Sequence, residues 1–123
     1  MPRLRLNGNI SFIFDTGADT SLLMPLDTWR IGVNYAELHV SERSLGIGGV
    51  STNFIEPAFL AFVGDGELYG YEIQLGICSP TDEIVTIPSL LGRDIIDHWR
   101  VTYSKPELRL VADVVAADAR QAL

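Results

Sequence analysis

The sequence predicts a mostly β protein, because short apolar runs alternate with turn-forming residues along most of its length. Three pairs of such runs are joined by turn segments at residues 7–9, 64–66 and 104–107. An Asn-Gly or Asp-Gly turn between apolar runs is a strong signal for a hairpin. The 123 residues, of which 47% are hydrophobic, fit a single domain over residues 1–123 with a modest core.

The strands are predicted from these runs in chain order. They lie at residues 4–6, 10–14, 59–63, 68–75, 84–87, 101–103 and 108–111. All but one of them form three hairpins. The remaining strand, 84–87, ends at Pro88, which has no N–H to donate to a neighbouring strand.

Helices are predicted only in the C-terminal part of the chain. Residues 94–99 form one short helix with Asp94 as its N-cap, and Ile95, Ile96 and Trp99 face the core. Residues 112–123 have a helix-forming composition but no strong apolar stripe, which predicts a marginal helix or a frayed tail. Residues 25–43 show no assignable pattern, and we interpret them as a loop over a pocket.

Composition excludes several classes of partner. The formal charge is −7, and the nine Lys and Arg residues are scattered, so we expect no nucleic acid and no anionic membrane as partners. The apolar runs are too short to cross a bilayer and no signal peptide is apparent, so we expect no membrane segment and a cytoplasmic location. Cys78 is the single cysteine and is predicted to be a buried, reduced thiol. His39 and His98 have no second ligand at metal spacing, so no metal and no cofactor are predicted.

A carboxylate follows the predicted strand at residues 10–14. Residues 15–18 read Asp-Thr-Gly-Ala, which places Asp15 where an apolar run breaks into a tight turn. Such a residue is either a turn aspartate that binds its own backbone or a catalytic carboxylate. The four residues alone leave both interpretations open.

Two further segments carry a pattern. Residues 45–50 contain three glycines, which suit a flexible hairpin tip, a phosphate-binding loop or a simple turn. A phosphate loop is disfavoured because no Lys-Ser/Thr pair and no helix follow it. Residues 89–94 read Ser-Leu-Leu-Gly-Arg-Asp and lead into the predicted short helix.

Taken in order, these three segments resemble those of the retroviral-type aspartic proteases, the retropepsins and their cellular relatives. That family has an Asp-Thr-Gly-Ala loop, a glycine-rich flap and a segment of two apolar residues followed by Gly-Arg-Asp or Gly-Arg-Asn. The resemblance covers residues 4–111. It implies a closed acid-protease barrel with one short helix near the C-terminal part, and it implies an aspartic endopeptidase without a cofactor.

The resemblance also implies roles around the catalytic Asp15. Thr16 resembles the residue that locks two such loops together across a dimer axis. Gly17 would let a substrate backbone approach the turn, and Ala18 would keep the floor of the site small. Asp19 and Arg93 resemble a pair in which the arginine fork binds the carboxylate just past the catalytic loop.

The glycine-rich stretch resembles the family's flap. Gly46, Gly48 and Gly49 would form a mobile tip, and Ile47 and Val50 would supply apolar contacts to a bound peptide. Closing this lid would exclude water and hold an extended peptide as an added strand. Residues 90–92 would pack behind the catalytic turn.

Hydrolysis by an activated water needs two carboxyls, one as a base and one as an acid. The sequence has a single Asp-Thr-Gly, and Asp19, Asp94 and Asp97 do not stand in a second such turn. We therefore expect a homodimer in which Asp15 of each chain meets on a two-fold axis. The pair would share a proton, which favours activity on the acid side of neutrality. The alternative is a weak or inactive protease-like domain that dimerises or binds peptides within a larger protein.

Overall fold

The fold is that of a computed structural model, which describes residues 1–46, 49–80 and 86–123. It is mostly β, with two short α-helices. In chain order the elements are β1 (Ile13–Phe14), β2 (Leu22–Leu23), α1 (Pro25–Ile31), a 3₁₀ helix (Tyr35–Glu37), β3 (Val40–Gly46), β4 (Gly49–Gly64), β5 (Glu67–Cys78), β6 (Leu90–Leu91), α2 (Arg93–Ile96), β7 (Trp99–Ser104), β8 (Arg109–Val114) and β9 (Ala119–Ala122).

The hairpin of β4 and β5 is the longest unit of the fold. The two strands pair antiparallel from Gly64 and Glu67 at the turn to Asn53 and Cys78 at the far end. The turn residues Asp65 and Gly66 both have positive φ, 51° and 75°, as a type I′ turn requires. The second predicted hairpin is therefore confirmed, with longer strands than predicted.

β5 organises the larger sheet. One of its edges pairs with β4, while the other pairs with β2 in parallel near Gly76 and with β9 antiparallel near Gly70. β6 lies between β1 and β2, which gives the order β1-β6-β2-β5-β4-β3 with β9 as a branch on β5. β7 and β8 form a separate two-stranded sheet, which confirms the third predicted hairpin.

The predicted closed barrel is wrong, because the larger sheet is open with β1 and β3 at its two ends. The first predicted hairpin is wrong for a related reason. Residues 2–5 form a turn, in which the Arg5 N–H donates to the Pro2 carbonyl at 3.1 Å. Leu4 and Leu6 pack on the core instead of pairing, so the N-terminal segment supplies no strand that could close the sheet.

The predicted C-terminal helix is also wrong. Residues 112–114 complete β8, and β9 extends the larger sheet. The Asp118 N–H donates to the Gly70 carbonyl at 3.0 Å, and the Asp118 carboxylate accepts from the Glu72 N–H at 2.7 Å. These bonds and the pairing of β9 give the backbone of residues 118–122 hydrogen-bond partners on the edge of β5. This gain outweighs a weak helix propensity.

The helices differ from prediction in two places. Residues 25–31 form α1, with Pro25 at its start and Gly32 at φ 85° just past its end, an asymmetry typical of helix termini. α2 covers only Arg93–Ile96, with Gly92 rather than Asp94 at its N-cap, and Trp99 already begins β7. Of the strand predicted at 84–87, residues 84 and 85 lie outside the described residues, and 86 and 87 are not in a strand.

Two larger apolar clusters and a smaller one around Met24 and Cys78 hold the described elements together. The first lies around Leu23, Leu75 and Ile77, under the N-terminal segment. The second joins Tyr71 of β5, Ile95 of α2 and Trp99 of β7. Cys78 is buried and free, as predicted, and burial raises the pKa of its thiol.

An ion pair between a partly exposed arginine and a buried carboxylate fixes the N-terminal segment to β4. Glu56 is 1% exposed, and the Arg3 guanidinium donates to both of its oxygens, with Nε at 3.1 and 2.9 Å. The same guanidinium donates to the Glu37 carbonyl at 2.9 Å. Arg3 therefore compensates a carboxylate that would be costly to bury alone.

We predict that Arg3→Met lowers the free energy of unfolding, because it leaves Glu56 buried without its charged donor. The free energy of unfolding, measured by denaturant titration, tests this. The double variant Arg3→Met/Glu56→Leu removes the unpaired carboxylate and should recover part of the loss. A double variant as unstable as the sum of both single variants would contradict this account of the pair.

Candidate active site

Asp15 lies immediately after β1, at the surface of the protein. Its side chain is partly exposed, and Thr16 and Gly17 beside it are exposed. Asp15 Oδ1 accepts a hydrogen bond from the Gly17 N–H at 2.9 Å, so the carboxylate does bind its own turn. Asp15 Oδ2 makes no hydrogen bond within the described part of the chain. One oxygen thus orients the carboxylate, and the other is available to a ligand.

The strand before Asp15 is less buried than the apolar run at residues 10–14 suggested. Only Ile13 and Phe14 form a strand, and Ile13 is 48% exposed. Phe12 and Phe14 pack on the second apolar cluster. One side of the run therefore holds the loop on the core, while the other side faces outward at the end of the sheet.

The backbone of residues 89–93 clamps the Asp15 loop on both sides. Before the loop, the Ile13 N–H donates to the Ser89 carbonyl at 2.8 Å, in the parallel pairing of β1 with β6. At the loop, the Asp15 N–H donates to the Leu91 carbonyl at 3.0 Å, and the Arg93 N–H donates to the Ala18 carbonyl at 2.8 Å. Residues 90–92 thus lie directly behind the turn.

Gly92 is where the two segments come closest. A Cβ atom on Gly92 would lie 2.4 Å from the carbonyl carbon of Thr20 and 2.9 Å from the Ser21 nitrogen. Both atoms belong to the backbone and cannot rotate away. Only glycine allows this close approach of the two backbones. Steric exclusion therefore explains why position 92, in Leu-Leu-Gly-Arg-Asp, is a glycine.

Asp94 is part of the same support. Its carboxylate accepts from the Ser21 N–H at 2.9 Å and from the Ser21 hydroxyl at 2.7 Å, and that hydroxyl accepts from the Gly92 N–H at 3.0 Å. The prediction that Asp94 caps α2 is wrong, since α2 has no side-chain cap. With both oxygens bound to Ser21, Asp94 is not a free second carboxylate.

Asp19 and Arg93 form an ion pair. Their side chains are 81% and 46% exposed, so the pair adds little to stability. Arg93 also binds the Ala18 carbonyl through its backbone N–H. Arg93 therefore contacts the end of the Asp15 loop twice.

The glycine-rich stretch lies on the hairpin of β3 and β4. Leu45 pairs with Val50, and Gly46 pairs with Gly49. Ile47 and Gly48, the predicted tip of the flap, lie outside the described residues. The antiparallel strands that a flap requires are therefore present. The role of this hairpin as a lid stays a prediction.

Two serines that support the site were missed by the sequence reasoning. Ser21 binds Asp94, and Ser89 accepts from the Met24 N–H at 2.9 Å while donating to Asp27 Oδ2 at 2.5 Å. Both serines are fully buried. The available signal was a small polar residue directly before the Leu-Leu pair of a short strand, at 22–23 and again at 90–91.

A metal site and a membrane-spanning helix find no support in the part of the chain that the structure describes. No group of three His, Cys, Asp or Glu side chains there could hold a metal ion. None of the helices described is long and apolar enough to span a membrane.

Comparison with solved structures finds a similar fold. A retropepsin-like aspartic protease from Rickettsia conorii matches with a TM-score of 0.54 and 20% sequence identity, over 80% of this chain and 78% of that chain. No protein-family model and no curated protein sequence matches the chain. The match shows that the fold is similar to that of a retropepsin-like protease.

We predict that Gly92→Ala displaces the backbone at Thr20 and destabilises the protein by about 2 kcal/mol or more, since the clash is with main-chain atoms. Thermal unfolding measures the effect. Gly64→Ala is the matched control, because nothing lies within 4 Å of a Cβ at that position. Equal melting temperatures for the two variants would contradict the close contact.

Proposed function

We propose that the protein is an aspartic endopeptidase, active as a homodimer in which Asp15 of each copy supplies one carboxyl. The observation that carries this proposal is the position and hydrogen bonding of the Asp15 carboxylate. Its carboxylate is partly exposed at the end of β1, one oxygen is oriented by the Gly17 N–H, and the loop is clamped by residues 89–93. The retropepsin-like fold supports the same reaction class.

Of the three other aspartates considered as the second carboxyl, two are engaged elsewhere. Asp94 is bound to Ser21, Asp19 is paired with Arg93, and Asp97 is exposed at the end of α2. A second copy of Asp15, related by a two-fold axis, is the economical source. Its arrival would place two carboxyls together at the surface where Asp15 Oδ2 is free.

The proposed reaction is hydrolysis of a peptide bond by water. The ionised carboxylate takes a proton from the water, and the resulting oxygen attacks the scissile carbonyl carbon. The protonated carboxyl polarises the carbonyl oxygen and then protonates the leaving nitrogen, so that the C–N bond breaks. The first carboxyl ends protonated and the second ends ionised, so the pair still holds one proton and can begin another cycle with the two roles exchanged.

The neighbouring residues serve this reaction in the proposal. The Thr16 hydroxyl would link the two loops across the axis. Gly17 and Ala18 leave room for a peptide backbone, and the glycine-rich hairpin at residues 46–50 would close over it. The substrate would then be an extended peptide held by main-chain hydrogen bonds.

We predict that Asp15→Asn abolishes peptide cleavage, with a loss of at least about a thousandfold, because the amide cannot act as a base. Cleavage of a peptide library, read by mass spectrometry, tests this. Asp97→Asn is the matched control and should retain wild-type rates. Equal turnover by wild type and Asp15→Asn would sink the mechanism, and a folded dimer that binds peptides without cutting them would favour the binding-domain alternative.

We predict that Asp19→Asn changes the free energy of unfolding by less than about 1 kcal/mol, because the ion pair with Arg93 is exposed. It should nevertheless lower the rate of peptide cleavage, because the pair orients the end of the Asp15 loop. Parallel measurement of unfolding and of kcat separates the two effects. A large loss of stability with unchanged kcat in the folded fraction would contradict this positioning role.

A further inference from the structure

The hairpin of β7 and β8 has one apolar face that is only half covered by its own chain. Directly opposed residues of an antiparallel pair share a face, so Trp99 and Val114 lie on the same side as Val101 and Ala112, and as Tyr103 and Leu110. Near α2, this face packs on the second apolar cluster through Trp99, Val101 and Val114. At the far end, Tyr103 is 68% exposed and Leu110 is 48% exposed.

The hairpin is held firmly to the part of the molecule that carries Asp15. Trp99 Nε1 donates to the Tyr71 hydroxyl at 2.8 Å, and that hydroxyl donates to the Ala116 carbonyl at 2.9 Å. Phe12 and Phe14, which precede Asp15, pack on the same cluster. The near end of the hairpin and the strand that leads into Asp15 therefore pack on one apolar cluster.

The outer edge of β8 is unpaired in the described structure. β8 pairs only with β7, and its residues make no backbone hydrogen bond to any other described segment. An open edge beside an exposed apolar face is a template for another strand. Arg3 ties the N-terminal segment to Glu56. Among the described strands β9 pairs only with β5, so its outer edge is open as well, but Arg120 is its single charge.

The charges on β8 are complementary to those of a second, antiparallel β8. With Val111 on a two-fold axis, Arg109 of each copy lies opposite Asp113 of the other copy, on the same face of the sheet. The same register on β7 offers no such pairing, since Arg100 is its single charge. The charge pattern therefore selects β8 as the edge and a second copy of this chain as the occupant.

We propose that β8 of two copies pair antiparallel about Val111, which joins the two hairpins into one four-stranded sheet with two Arg109–Asp113 cross-strand pairs. In this sheet Leu110 lies beside Ala112 of the second copy, and both residues are exposed in the single chain, so that the apolar face continues across the contact. The contact is isologous, as a two-fold dimer requires. The proposal rests on the proposed function, because that function needs a second Asp15.

The test uses two opposite charge reversals, Arg109→Asp and Asp113→Arg. Either variant alone places like charges opposite each other twice in the homodimer, and we expect the dissociation constant to rise by roughly tenfold or more. An equimolar mixture of the two variants places opposite charges at both positions. The mixture should therefore form heterodimers with near wild-type affinity, measured by sedimentation equilibrium, and should regain peptide cleavage.

The controls separate this interface from folding and from the dyad. Lys105→Asp changes the charge of the hairpin loop outside β8 and should dimerise as wild type does. Recovery in the mixture cannot come from a folding defect, since each variant would carry its defect into the mixture. Wild-type affinity in both single variants, or no recovery in the mixture, would overturn this interface. If Asp15→Asn still abolished cleavage in that case, the proposed function would stand with its dimer contact elsewhere.

Discussion

The clamp between the Asp15 loop and residues 89–93 is the constraint on which the proposed site depends. Two short strands, β1 and β6, pair in parallel for only two residues each, and single hydrogen bonds at Asp15 and Ala18 continue the contact. Such a short ladder has little stability of its own. Gly92 makes it possible by letting the Thr20 backbone approach, and the buried Ser21–Asp94 bonds hold that approach in place.

Several residues of the proposed site could be predicted from the sequence. Their positions depend on steric fit and hydrogen bonds that only particular residue types provide. Asp15, Gly92 and Arg93 are recognisable from residue type and order alone, and the Asp65-Gly66 turn follows from the φ values that it needs. Asp94 shows the limit of such reasoning. Its position before Ile95 suits a cap, yet the competing donors of Ser21, which is 73 residues away along the chain, bind it instead.

The remaining elements depended on contacts that a sequence pattern does not contain. Residues 112–123 have helix-forming residues, but the open edge of β5 offers them backbone partners. The sequence pattern of residues 4–6 is that of a strand. In the structure, packing on the first apolar cluster and the Arg3–Glu56 pair hold the N-terminal segment near β4 as a turn. The closed barrel was inferred from resemblance, whereas the described sheet is open between β1 and β3. α1 carried its signal in Pro25 and Gly32, which a search for apolar periodicity overlooks.

The central claim is that one active site contains Asp15 from two copies, and a mixing experiment tests it most directly. Wild type at fixed concentration is equilibrated with increasing amounts of Asp15→Asn, and the rate of peptide cleavage is followed. If heterodimers form and lack one carboxylate, a tenfold excess of the variant should lower the rate to roughly a tenth by mass action. A rate that stays constant while native mass spectrometry detects heterodimers with an affinity-tagged variant would contradict the shared site.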